Sequence, residues 1–433
     1  MKIKIINSLS EALSAVTKLR SDFFFCPENL VKEEQVRQIV LAVKEGKDQA
    51  VRLYTQKFDG VDLPSIVVDS AEMKKAYDAL AKTDREALDI ASMRIKKYHQ
   101  KQLASIQKGF SEMASEQVIS AVSKAAVYVP GGRASYYSTV LMTAIPAKVA
   151  GVEEVVLLTP PNAEGTVPPN ILAAAHAAGV DTICTLGGVP AIAAAAFGTE
   201  SVPKVDVICG PGNIYVTLAK KIVYGAVNID ALQGPSEALI IADDTSDPVL
   251  AASEIIAQAE HDPLSQSVLV TVGPTILSKI LDQIQKQAQG APRQAIIQKS
   301  LESNSLLVTV ENMAQAIELT NAYAPEHLCI MTENAPDYLH DLRHAGCVFI
   351  GINSGVEFGD YVAGPSHALP TGGTARFYSP LNVLSFLKIM DVVQLDDDTL
   401  AYLAPTVINM AKNEGFYAHA AAAEMRWRKL GRK

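Results

Sequence analysis

An α/β fold of two doubly wound lobes is what this 433-residue sequence predicts, and three observations carry the prediction. From about residue 124, short β-branched runs ending in Gly or Pro alternate with alanine-rich helical runs, the mark of repeated βα winding and hence of a parallel sheet. The pattern begins again after VNIDALQGPSE, so there are two such series. Before residue 124 the periodicity is helical, with apolar residues three and four apart in VKEEQVRQIVLAVKEGKDQAVRLYTQKF.

In chain order, residues 1–25 read as an amphipathic arm, and the segment to about 110 reads as helical scaffold. RIKKYHQKQ in that scaffold is expected to be a solvated helix face, and His99 receives no role. AAVYVPGG, EEVVLLTPP, DTICTLGG and VDVICGPG are the strands of the first series. The second runs through EALIIADD, a helix carrying Gln258 and His261, QSVLVTVGP, a long helix, NSLLVTVEN, a helix to Tyr323, LCIMTEN, another helix, and CVFIG. Gly351 to Ser379 is then expected to be a long irregular loop, and such loops in compact domains are usually functional. The last segment reads as a strand and two helices, too small to hold a core alone. The expected organisation is an arm at 1–25, a larger lobe from 26–127 with 237–381, a second Rossmann-like lobe at 128–236, and a C-terminal extension at 382–433.

Composition narrows the function classes. The net charge is -9 and the basic residues are scattered, which argues against a nucleic-acid or anionic-membrane surface. With no apolar run long enough for a bilayer and charges interrupting the first twenty residues, the reading is cytoplasmic. Five widely spaced cysteines give neither a disulfide framework nor a C-x-x-C metal site. A metal would need His, Asp, Glu or amide oxygen ligands.

Four places carry residues suited to chemistry. GPGNIYVTLAK at 210–220 joins a strand to a helix start through glycines, where amides and the helix dipole could meet a dinucleotide's phosphates; a plain tight turn fits equally well. The VPGG turn after Tyr128 is a second possible wall of that crevice. Gln258 and His261, three apart on one helix, could face one metal ion with Asp360 from the long loop, although an ordinary polar edge is the commoner meaning of such a pair. Glu326 and His327 in APEHL are the types that acid/base work needs, and a surface pair is the competing reading. His176, His340 and His344 lie in plain helical contexts, whereas His419 sits in EGFYAH beside Glu414.

Taken together, AEHDP (259–263), APEHL (324–328), GDYVAGPSHALPTGG (359–373), EGFYAH (414–419), GPGN (210–213) and GPSE (234–237) resemble the motifs of the histidinol dehydrogenase family, over essentially the whole chain. The resemblance implies a zinc-dependent enzyme that oxidises L-histidinol, through L-histidinaldehyde, to L-histidine with two NAD molecules. It implies Gln258, His261, Asp360 and His419 as ligands of one Zn2+ per subunit, and Glu326 and His327 as the catalytic acid/base pair. It also implies substrate contacts from Ser236, His367 and Glu414 together with His327 and the four metal ligands, and cofactor contacts from Tyr128 and Asn213. Homodimers with shared active sites follow, the C-terminal segment completing the neighbour's site. Three positions depart from the family pattern. Pro190 stands where glutamine usually contacts NAD and removes that contact, Gln233 replaces an alanine before GPSE, and Val356 takes the place of a frequent acidic residue, with Glu357 one place on. The alternatives are a paralogous dehydrogenase for another small amino-alcohol or polyol, and a metal-binding structural dimer without turnover.

Overall fold

The computed structural model describes residues 3–20, 26–63, 65–106, 111–112, 115–131 and 135–431. The last part of the predicted 1–25 arm and Gly132 of the VPGG turn lie outside the described residues. Two parallel sheets carry the architecture, as the alternating pattern requires. The larger runs Lys4–Ile6, Leu306–Val310, Gln266–Val272, Glu237–Ala242, His327–Ile330, Cys347–Ile350. The smaller runs Thr182–Thr185, Glu154–Thr159, Lys124–Tyr128, Val207–Cys209, Asn228–Ile229. With Lys4–Ile6 set aside, both follow the order 3-2-1-4-5 in their own chain sequence, the doubly wound topology.

Burial on both faces explains the near-continuous apolar strands. Glu237–Ala242 is buried at every position, as parallel sheets covered by helices demand. One apolar cluster on the larger sheet gathers Ile240, Leu269, Ile280 and Ile297, and the other gathers Leu239, Ile241, Val268 and Tyr323. The arm is tied in by its strand, with Ile5 opposite Leu307 in parallel register.

Several expectations are corrected. Residues of the early helical scaffold, predicted to belong with the larger lobe, pack on the smaller one: Val36, Val40, Val43, Leu63 and Ile66 share a core with Val156, Ile192 and Leu218. Helical periodicity marks the buried stripe but does not say which sheet it meets. The smaller sheet already includes Lys124, ahead of the expected boundary at 128. The helix expected between LCIMTEN and CVFIG is a single 3-10 turn, Ala335–Tyr338, started by Pro336. The loop after Gly351 holds a helix of its own, Val356–Tyr361, whose first amide is bonded by the distant Glu254, so no local cap announces it. His99 is fully buried, its Nδ1 donating to the Ile95 carbonyl, in a segment expected to be solvated.

The chain divides into two compact units, and the two lobes together form the first, residues 1–101 and 122–386. The second unit joins 102–121 to 387–433. In it Leu387–Val393 pairs antiparallel with Ser115–Ala121, and the helices Asp397–Asn413 and Tyr417–Lys429 pack on each other. Asp396 caps the first of these through Thr399 N.

Candidate active site

The helix Pro248–Ala259 is started by Asp247, whose carboxylate accepts from Val249 N, with Pro248 in the first turn. Glu254 and Gln258 are one turn apart and buried on the face that meets the later strands, where Glu254 accepts from Val356 N at 3.1 Å. Both polar atoms of the Gln258 amide are buried without a hydrogen-bond partner. Such orphans cost stability of about 1–3 kcal/mol each and are rare unless a ligand satisfies them. His261 follows just beyond the helix end, exposed.

Glu326 and His327 arrive from the opposite side of the sheet plane. The preceding helix ends at Ala324, which holds a left-handed φ of 51 although it carries a Cβ. Strain of that kind gathers at functional sites. Pro325 then leads into Glu326, which is 6% exposed, so the surface reading of the pair is excluded. Glu326 Oε2 accepts from Ser236 Oγ at 2.8 Å and from Glu237 N at 2.9 Å. His327 Nδ1 donates to the Glu237 carbonyl at 3.1 Å, which fixes the ring and leaves Nε2 facing Asp360 Oδ1 at 3.7 Å. Nε2 has no hydrogen bond of its own.

Electrostatics follow from this packing. Burial pushes the Glu326 carboxyl up, and His327 pulls it back only in part. Burial would lower the His327 imidazole, but the Glu326 and Asp360 carboxylates outweigh it and hold it raised. Burial alone would raise Asp360; His327, His367 and His261 keep it below the usual carboxylate range. Asp360, the two neighbouring histidines and His261 are thus one electrostatic group. His367 is pinned at both nitrogens, Nδ1 donating to the Asp360 carbonyl at 2.8 Å and Nε2 accepting from Thr139 Oγ1 at 3.1 Å.

The smaller lobe brings the glycine turns together. Gly210 has φ 111, and a Cβ there would lie 2.2 Å from the Tyr128 carbonyl oxygen, so only glycine lets these two strand ends meet. Tyr128 is buried and its hydroxyl accepts from Gly188 N at 3.0 Å. Asn213 caps the helix Ile214–Val223 through Tyr215 N and Val216 N. Pro190 sits in the first turn of the helix Gly188–Phe197, where a missing N–H breaks no helical hydrogen bond. Gln233 is 4% exposed and belongs to the interior beneath the Gly210 turn.

His419 and Glu414 lie in the second unit, both exposed: His419 against Phe416 in the helix Tyr417–Lys429, and Glu414 at the end of Asp397–Asn413. Sequence reasoning passed over Glu254, Glu237 and Thr139. Glu254, pushed up to about 7 by burial with Glu357 adding to the effect, was readable as the i−4 neighbour of Gln258 on one helix face. Glu237, which takes Gly372 N at 3.2 Å, and Thr139 gave no local signal, because their partners are distant in sequence.

A family model described as histidinol dehydrogenase matches residues 28–427. The histidinol dehydrogenase of Dehalococcoides mccartyi is 45% identical over 430 residues, covering 97% of this chain and 99% of its own. That of Clostridium acetobutylicum is 43% identical, covering 93% and 94%. The crystal structure of histidinol dehydrogenase from Elizabethkingia anophelis superposes with a TM-score of 0.92 at 35% identity, covering 99% of both chains. On this agreement of sequence and fold, the chain belongs to the histidinol dehydrogenase family, oxidoreductases of histidine biosynthesis.

Proposed function

We propose that this chain carries out the zinc-dependent, NAD-linked oxidation of L-histidinol through L-histidinaldehyde to L-histidine. The observation that carries the reading is the orphaned Gln258 amide on the same helix end as His261, in the first unit with Asp360 and the anchored Glu326–His327 pair. An amide, an imidazole and a carboxylate suit a borderline ion such as zinc. In this reading His419 of a second subunit is the fourth ligand. A helix C-terminus also favours a cation.

When bound, the zinc would hold the substrate's imidazole and amine in place and NAD would accept hydride. In its neutral form, which the imidazole, pushed up to about 9, reaches on the alkaline side, His327 takes the proton of the alcohol at Nε2, since Nδ1 is committed to the Glu237 carbonyl. Glu326 activates water at the aldehyde stage through Oε1, because Oε2 is occupied by Ser236 and Glu237. Ser236, His367 and Glu414 hold the substrate, with His327 and the metal-ligand set. Tyr128 and Asn213 line the cofactor crevice, where Pro190 offers no donor.

The reading extends to a homodimer. The second unit exposes Val393, Tyr402, Met410, Tyr417 and Met425, all more than half accessible, and it also holds a groove of about 530 Å³ lined by Leu395, Leu403, Val407, Ala422 and His419. Apolar faces of that extent mark association surfaces. No helix among the described residues is long and apolar enough to cross a membrane.

The test supplies purified protein with zinc, histidinol and NAD and counts NADH per histidine. A ratio near two is expected; turnover of another alcohol with none of histidinol would transfer the site to the paralogue reading. For the dimer, inactive His419→Asn and Gln258→Ala proteins should regain activity when subunits exchange. Exchange without recovery would remove the shared site.

A further inference from the structure

Beneath the Gly210 turn lies a second buried polar cluster, which the reaction described above does not use. Lys220 is 1% exposed, yet its ammonium donates to the Gly210 carbonyl at 2.9 Å, to Asp230 Oδ1 and to Gln233 Oε1 at 2.7 Å. Those three acceptors satisfy all three ammonium hydrogens. Asp230 Oδ2 accepts from Gly210 N at 2.8 Å and from Gln233 Nε2 at 2.9 Å, and Thr217 Oγ1 donates to the Gln233 carbonyl. Both peptide groups of Gly210 are therefore held by one charge pair. Gln233 bonds to both members of that pair.

Gln233 also begins the short connection between the sheets, after Asn228–Ile229 and before Glu237–Ala242. Its far end is fixed separately: Gly234 N donates to Thr371 Oγ1, and Ser236 Oγ and Glu237 N donate to Glu326. A saturated buried network is rigid, because any displacement leaves a charge or an amide without its partner. The connection around Pro235 is thus a strut pinned at both ends.

We propose that Gln233 is a positioning residue for the dinucleotide: with Lys220 and Asp230 it sets the Gly210 turn and fixes its distance from Glu326. This rests on the reading that the Gly210 turn receives NAD. Loss of the Gln233 side chain frees the turn on the cofactor side, while the substrate side keeps its own anchors at Thr371 and Glu326.

The test measures KM for NAD, KM for histidinol and kcat in Gln233→Ala and Gln233→Met, with melting temperature as a check on folding. Removal of two buried hydrogen bonds is expected to raise KM for NAD about tenfold in both variants, with KM for histidinol within about twofold of the parent. Met fills the volume without the bonds, so recovery in Gln233→Met would reduce the residue to a space filler and overturn the proposal. Thr217→Val, a milder change that removes the hydroxyl's bonds to the Gln233 and Asn213 carbonyls and leaves the Gln233 side chain in place, should shift KM for NAD about threefold in the same direction. A fall in melting temperature with equal changes in both KM values, or with none, also overturns it. If the parent protein makes no NADH from histidinol, the proposed function fails instead. An active parent with unchanged NAD kinetics in all three variants defeats the strut alone.

Discussion

In the five-stranded sheet the residues of interest follow the strands, Gly210 after Val207–Cys209 and Gly131 after Lys124–Tyr128. In the six-stranded sheet they precede them: Ser236 before Glu237–Ala242, Glu326 before His327–Ile330, and Gln258 on a helix returning to that same edge. Doubly wound sheets usually take ligands beyond the carboxyl ends of their strands; the proposed cofactor residues of the smaller lobe follow that rule, and the proposed acid/base and metal residues named here for the larger lobe do not. Both share one winding order, so the difference lies in which helix ends face the site. Strand carboxyl ends meet helix N-termini, which suit anions; strand amino ends meet helix C-termini, which suit cations. The two polar clusters differ likewise. The one under Gly210 is saturated, and the one around Gln258 is left with orphaned atoms.

Three substitutions probe that contrast. The largest effect is expected for Glu326→Gln, which should slow the aldehyde step about 10²- to 10⁴-fold and the alcohol step far less, as read by supplying each substrate separately. Equal losses in both steps would sink the division of labour between Glu326 and His327. Next is Lys220→Met, which strands Asp230 in the interior; urea unfolding should show a loss of about 3–5 kcal/mol. A loss under about 1 kcal/mol would mean the pair is not saturated in solution. The smallest effect has the opposite sign. Gln258→Met removes the orphaned amide at similar volume and should stabilise the metal-free protein by about 1–3 kcal/mol while abolishing protection by added zinc. Destabilisation would show that the amide already has partners and that the contrast between the clusters is false.

The parallel winding was legible because strands buried on both faces must be apolar throughout, and Glu237–Ala242 announces itself in that way. Gln258, His261, Asp360, Glu326 and His327 were named from residue type, spacing and the family resemblance, and the structure brings Glu326, His327 and Asp360 together. What escaped was whatever depends on distant pairing. The strand Ser115–Ala121 meets the nearby Ser111–Glu112 at its first two residues but is paired along its whole length by Leu387–Val393, far along the chain, and the early helices gave their buried stripe without naming the sheet that covers it. Val356–Tyr361 was read as loop because its first amide is met by Glu254 from another helix. The burial of Gln233 was hidden for the same reason: its partners Lys220 and Asp230 are near in sequence, but only the Gly210 turn brings them into one interior.

The register of the arm sets a schedule for synthesis. Lys4 pairs with Leu306 in the completed sheet, and the whole smaller lobe is encoded between them. At about 5–20 residues per second, the strand Lys4–Ile6 waits roughly 15–60 s for its neighbour. The smaller lobe can close meanwhile, so the half of the molecule that holds the Gly210 turn folds before the half that holds Glu326 exists.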